Sequence, residues 1–123
     1  SICKRILTNK NSELINVWGS GNQSRDFIYI DDCIEGVYKT MDKIYDGSAV
    51  NLSTGKLTSF IDFAKKTCNI LGFNPKVEGT DSKPEGVFAR CGDVSKQNKL
   101  GFQYSIELED GIKKALTFFE KKL

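Results

Sequence analysis

Apolar residues along the chain switch repeatedly between helical and strand-like spacing, and that switching predicts an α/β fold with at least four helices and several short strands. Ile2, Ile6 and Leu7 place a helix over Ser1 to about Lys10. Leu14 to Val17 and Phe27 to Ile30 are short apolar runs rich in β-formers and are expected to be strands, with a glycine turn between them. Asp31 or Asp32 is expected to cap the next helix, with Glu35 three residues after Asp32 in a capping-box position. Ile34, Val37, Tyr38, Met41 and Ile44 fall on one face of that helix, the face expected to be buried. Ala49 to Leu52, between Gly47 and Gly55, reads as a third strand. Ser59 with Asp62 three residues on opens a helix preceded by Leu57 and striped by Ile61, Ala64, Cys68 and Leu71; Gly72 stops it and Pro75 prevents its continuation. A short strand near Lys76 to Glu78 precedes a polar loop from Gly79 to Gly86. Asp93 is placed to cap a brief helix closed by Gly101. The last helix runs from about Glu107 with Leu108, Ile112, Ala115, Leu116, Phe119 and Leu123 inward.

Length and composition narrow the classes of function. A chain of 123 residues suffices for one hydrophobic core and is too short for a cofactor domain plus a substrate domain. Eighteen basic residues against 16 acidic ones leave +2, spread along the chain, which argues against nucleic acid as a partner. Cys3, Cys33, Cys68 and Cys91 show no C-x-x-C spacing and there is no His, so Cys/His zinc and His acid/base chemistry are excluded. Reduced thiols and a cytoplasmic location are expected, with the cysteines as core or surface thiols. No apolar run reaches membrane-spanning length and no signal-peptide pattern opens the chain, so a membrane role is not expected.

The segment from Trp18 to Asp32 carries the candidate chemistry. Arg25 bears a planar, permanent cation able to hold two phosphate oxygens at once. Gly19 and Gly21 allow a tight turn and close backbone approach, and Trp18 offers a flat face for a base or sugar ring. The same residues would also suit a core Trp, a hairpin turn and a surface Arg. Arg90 is the second candidate, with pairing to Asp93 or Glu85 as its plain alternative. Lys4 and Arg5 lie on the opening helix, where a solvated basic face is the plain alternative. Adjacent Asp31 and Asp32 suit capping better than paired acid/base work.

Val17-Trp18-Gly19-Ser20-Gly21, the run Arg25-Asp26-Phe27-Ile28-Tyr29-Ile30-Asp31-Asp32, and Lys83-Pro84-Glu85-Gly86 followed by Arg90-Cys91-Gly92-Asp93-Val94-Ser95-Lys96 together resemble the extended short-chain dehydrogenase/reductases. Within them the likeness is to nucleotide-sugar epimerases, dehydratases and GDP-fucose-synthase-type epimerase/reductases. It spans nearly the whole chain but only that family's C-terminal part. Val87, Phe88 and Ala89 depart from it, standing where relatives often carry more polar residues, and Phe88 is either a packing anchor or a ring contact. Gly19-x-Gly21 has Ser24 in place of a third glycine, and an apolar strand is expected where a dinucleotide fingerprint needs a helix. Four residues after Tyr29, Tyr38, Tyr45 and Tyr104 stand Cys33, Asp42, Ala49 and Leu108, so the family's Tyr-x-x-x-Lys pair is absent and no catalytic residue is assigned.

The resemblance implies a small mixed α/β substrate-binding domain over residues 1–123, the C-terminal part of an extended Rossmann-type enzyme. Its N-terminal NAD(P)-binding Rossmann domain would lie outside this chain. It implies that Trp18, Gly19, Arg25, Arg90 and Arg5 contact a nucleoside-diphosphate sugar, with the Trp-Gly-Ser-Gly turn and the Lys-Pro-Glu-Gly loop leaning toward a GDP-sugar. NAD or NADP would serve the full-length parent, and none would be bound by this chain alone. A free-standing nucleotide-binding or regulatory module without catalytic activity is the alternative. If a partner domain is missing, an exposed apolar patch or strand edge is expected, with Ala49 to Leu52 as the candidate edge and a homodimer as one consequence.

Overall fold

In a computed structural model that describes every residue except Ser1, Asp81, Lys83, Pro84, Glu85 and Leu123, the described residues form five α-helices and five short strands, the strands making two small sheets. Helix α1 (Ile2–Thr8) turns into strand β1 (Leu14–Trp18), which pairs in parallel with β4 (Lys76–Thr80) from Leu14 opposite Lys76 to Trp18 opposite Thr80. The period of two sends Ile15 and Val17 inward, where they meet Ile6 of α1 and Ala64 and Cys68 of α3 (Phe60–Ile70). A second cluster joins Cys3 to Ile112 and Leu116 of α5 (Leu108–Glu120), so α1 is held between α3 and α5. Each of these aliphatic side chains contributes roughly 1.5–3 kcal/mol by leaving water. The Ser59 hydroxyl accepts the Asp62 N–H at 3.0 Å and caps α3, and Gly72, at a φ of +79°, carries the chain out of it, both as expected.

The second sheet has β2 (Ser24–Arg25) at its centre, antiparallel to β3 (Thr58–Ser59) and parallel to β5 (Ala89–Arg90). The Phe27-to-Ile30 strand does not form. Pairing stops at Arg25, residues 26–29 lead directly into α2 (Ile30–Thr40), and Phe27 packs its ring 4.5 Å from Phe63 and 6.1 Å from Phe60. The apolar run therefore answers to side-chain packing, a demand that sequence spacing does not distinguish from a buried strand.

Helix α2 corrects two further expectations. Its N-cap is Tyr29 and no side chain caps it. Asp32 is buried and accepts hydrogen bonds from the Ser105 N–H (3.1 Å), the Ser105 hydroxyl (2.9 Å) and the Ile106 N–H (2.8 Å), fixing the approach to α5 instead. Asp31 is exposed and meets Lys114 at 3.1 Å. The apolar stripe points outward: Ile30, Ile34, Val37, Tyr38 and Met41 are exposed, while Asp32, Gly36 and Thr40 face in. Gly36 explains the orientation, because a Cβ there would lie 2.9 Å from Leu52 and 3.0 Å from Phe102, a closeness only glycine permits.

Residues 49–52 are not a strand. Among the described residues, the backbone of 49–55 makes no backbone–backbone hydrogen bond, since no strand adjoins it to complete a ladder. Helix α4 (Ser95–Lys99) follows the Asp93 carboxylate, which accepts the Ser95 N–H at 2.8 Å, and Gly101 turns the chain into buried Phe102. Leu123, expected inward on α5, lies outside the described residues.

Candidate functional site

The turn after β1 is built on left-handed glycines, Gly19 at φ +71° and Gly21 at φ +78°. A side chain at Gly21 would strike Ile61 at 2.5 Å, so the turn lies flat on α3. It opens into strand β2 rather than a helix and offers no helix N-terminus to a dinucleotide pyrophosphate. The Gly19–Gly21 turn therefore does not fit the pyrophosphate of NAD(P).

What the turn does is aim β2. In the β2–β5 register Arg25 stands directly beside Arg90, and neighbours in register send their side chains to the same face of a sheet. Both line one hollow of about 450 Å³, together with Asp26, residues 50–53, Cys91 and Gly92. Arg25 is half-buried; its Nη1 donates to the Ser24 carbonyl at 2.7 Å and its guanidinium lies 5.5 Å over the Phe60 ring, which fixes its direction. Arg90 is exposed. Among the described residues neither guanidinium belongs to an ion pair. Two cations on one face repel, and an anion between them removes that repulsion while filling both forks.

Among the described residues Asp26 forms no ion pair with either guanidinium; its oxygens are engaged by neutral donors instead. They accept the Ser53 hydroxyl, the Thr54 N–H (2.9 Å) and hydroxyl (2.6 Å), the Gly55 N–H (2.8 Å) and the Cys91 thiol (3.4 Å). Burial pulls the Asp26 carboxyl upward, but the bonds donated by Ser53, Thr54 and Gly55 outweigh it and hold the group below its usual value. For Cys91, burial and then the adjacent carboxylate push the thiol up, so it is a donor and not an activated nucleophile.

The lowered Asp26 value has a sign in stability. Its contribution is present above the unfolded-state value, near pH 4, and is lost as pH falls through the lower folded-state value. Urea unfolding of the native chain and of Asp26→Asn between pH 6 and pH 2 should show the gap between them closing as pH drops; a constant gap would contradict the assignment.

The other sequence candidates sit apart from the hollow. Trp18, 56% exposed, lies under the Arg5 guanidinium at 5.4 Å, and its carbonyl accepts from buried Gln23 at 2.6 Å. The Gly19 carbonyl accepts the Thr80 N–H at 2.7 Å. Arg5, Trp18 and Gly19 do not line the space between Arg25 and Arg90. Val87 and Phe88 are exposed, and Lys83, Pro84 and Glu85 lie outside the described residues. Sequence reasoning missed the 50–53 segment and gave Asp26 no role. The one legible signal was a carboxylate beside Arg25 and a Ser53-Thr54-Gly55 run able to donate several hydrogen bonds.

Known proteins share both sequence and shape with the chain. Residues 1–53 match the family model described as NAD dependent epimerase/dehydratase family. The GDP-L-fucose synthase of Sinorhizobium fredii is 27% identical over 105 residues, 85% of this chain and 33% of that protein. The UDP-glucuronic acid 4-epimerase of Bacillus cereus, solved with UDP-4-deoxy-4-fluoro-glucuronic acid and NAD, superposes with a TM-score of 0.84 at 26% identity, covering 99% of this chain and 39% of that one. A GDP-6-OMe-4-keto-L-xylo-heptose reductase from C. jejuni gives 0.77 at 30% identity, covering 98% and 38%. The chain spans about a third of the length of the curated relatives it matches.

Proposed function

Taking the chain as a stretch of the NAD-dependent nucleotide-sugar epimerase/dehydratase kind, with its mixed α/β fold, we propose that it holds the nucleoside diphosphate of a nucleotide sugar. The observation that carries this reading is the register of Arg25 with Arg90 over one hollow. The two guanidiniums grip the diphosphate from one side, leaving the sugar free to project toward catalytic groups supplied elsewhere. Trp18, with Arg5 stacked on it and Gly19 next to it, offers a separate flat surface for the nucleoside end, and a GDP-sugar is the favoured substrate.

In the parent enzyme this domain would be the C-terminal, substrate-binding part, and a dinucleotide-binding domain would supply NAD(P) and a Tyr-x-x-x-Lys pair for hydride transfer at a sugar carbon. The outward apolar stripe of α2 supports attachment to further structure, for it presents side chains that another layer would cover. Binding remote from the reacting carbon contributes by positioning.

The test is calorimetric titration of the chain with GDP, UDP, guanosine and uridine. GDP and UDP should bind, more weakly as salt rises, while the nucleosides should not. Equal affinity for nucleoside and nucleoside diphosphate, or no binding of either, would overturn the reading.

A further inference from the structure

The segment that lines the hollow together with the two arginines has an unusual mooring. Among the described residues its backbone has no ladder bonds, yet residues 53–55 are held firmly by side chains from elsewhere. Buried Gln97 takes both backbone groups of Ser53, accepting its N–H at 2.9 Å and donating to its carbonyl at 2.9 Å. Lys96 donates to the Ala49 carbonyl at 2.8 Å. Asp26 takes the Ser53 hydroxyl and every donor of Thr54 and Gly55 within reach. Its own N–H donates to the Arg90 carbonyl at 3.2 Å, and it directly follows Arg25. One residue thus ties the segment to both arginine-bearing strands.

We propose that Asp26 is a positioning residue for the anion hollow: its carboxylate moors residues 53–55 beside Arg25 and Arg90 so that the site is assembled before the diphosphate arrives. The inference rests on the diphosphate reading above. A carboxylate this close to two guanidiniums is at first sight the wrong charge for an anion site. Its oxygens, however, are turned to donors from 53–55 and Cys91, so its lone pairs are satisfied within the wall and its place there is structural. Asparagine would keep the shape but turn an amide toward N–H and O–H donors, releasing part of the segment. The alternative, in which Asp26 merely repels the ligand, predicts the opposite sign.

Asp26→Asn and Gln97→Met are compared with the native chain by GDP titration and by hydrogen exchange of the 53–55 amides, at a temperature where all three are folded. Gln97→Met loosens the same segment without changing charge and without touching the hollow. Exchange at 53–55 should quicken at least tenfold in both variants, with GDP affinity falling roughly tenfold in Asp26→Asn and several-fold in Gln97→Met. A rise in affinity in Asp26→Asn, unchanged affinity in both variants, or unchanged exchange would overturn the proposal. Failure of the native chain to bind GDP would bring down the diphosphate reading and this inference with it, whereas intact binding in both variants brings down this inference alone.

Discussion

Arg25→Ala lowers affinity for a nucleoside diphosphate by roughly 10- to 100-fold, the scale of losing hydrogen bonds to a charged group worth about 1.5–3 kcal/mol. The side chain is pre-aimed by the Ser24 carbonyl and the Phe60 ring, so little of its binding energy is used in ordering it. Arg25→Lys recovers only part of the loss, because an ammonium cannot span two phosphate oxygens. Stability should change little or rise slightly, since removing one of two neighbouring cations relieves their repulsion. Titration and thermal melting of the same samples check both halves, and a large stability loss with unchanged affinity would assign Arg25 to the scaffold.

The second large effect belongs to the scaffold. Asp32→Ala is expected to cost about 3 kcal/mol, lowering the melting temperature by roughly 10 °C, because it removes a buried charged acceptor of three hydrogen bonds from Ser105 and Ile106 and opens a small void. Loss of a helix cap would cost only about 1 kcal/mol. The two explanations of the same residue therefore differ in size, and chemical denaturation distinguishes them. Glu35→Ala, expected to leave stability nearly unchanged, is the companion measurement: Glu35 is exposed and forms a surface pair with Lys39 four residues on.

The parts of the fold that were legible are those set by local rules. Ser59 with Asp62, the α3 stripe and Gly72 all reappear because capping and periodicity act within one element. β1 and β4 form where short strands were expected near Leu14 to Val17 and Lys76 to Glu78, and Ala64 and Cys68 lie in the core where their spacing put them. α2 failed because an apolar stripe states only that a face avoids water, and here Gly36 admits Leu52 and Phe102 on the other side. Asp32 was misread because its partners lie 73 and 74 residues away. Residues 49–52 have strand-like composition, but a strand exists only with a partner. In the site, Arg25 and Arg90 were identifiable as candidates from charge and family likeness. Their adjacency is a matter of β2–β5 register, which no local pattern encodes. The wall they share was invisible for the same reason.

The central claim is that Arg25 and Arg90 hold one diphosphate between them, and a double-mutant cycle tests it most directly. GDP is titrated into the native chain, Arg25→Ala, Arg90→Ala and the double variant. Two guanidiniums on a shared ligand should be coupled, the double variant losing less than the summed single losses by about 1 kcal/mol or more. Losses that add to within about 0.3–0.5 kcal/mol, or an Arg90→Ala variant that binds GDP as the native chain does, would contradict it.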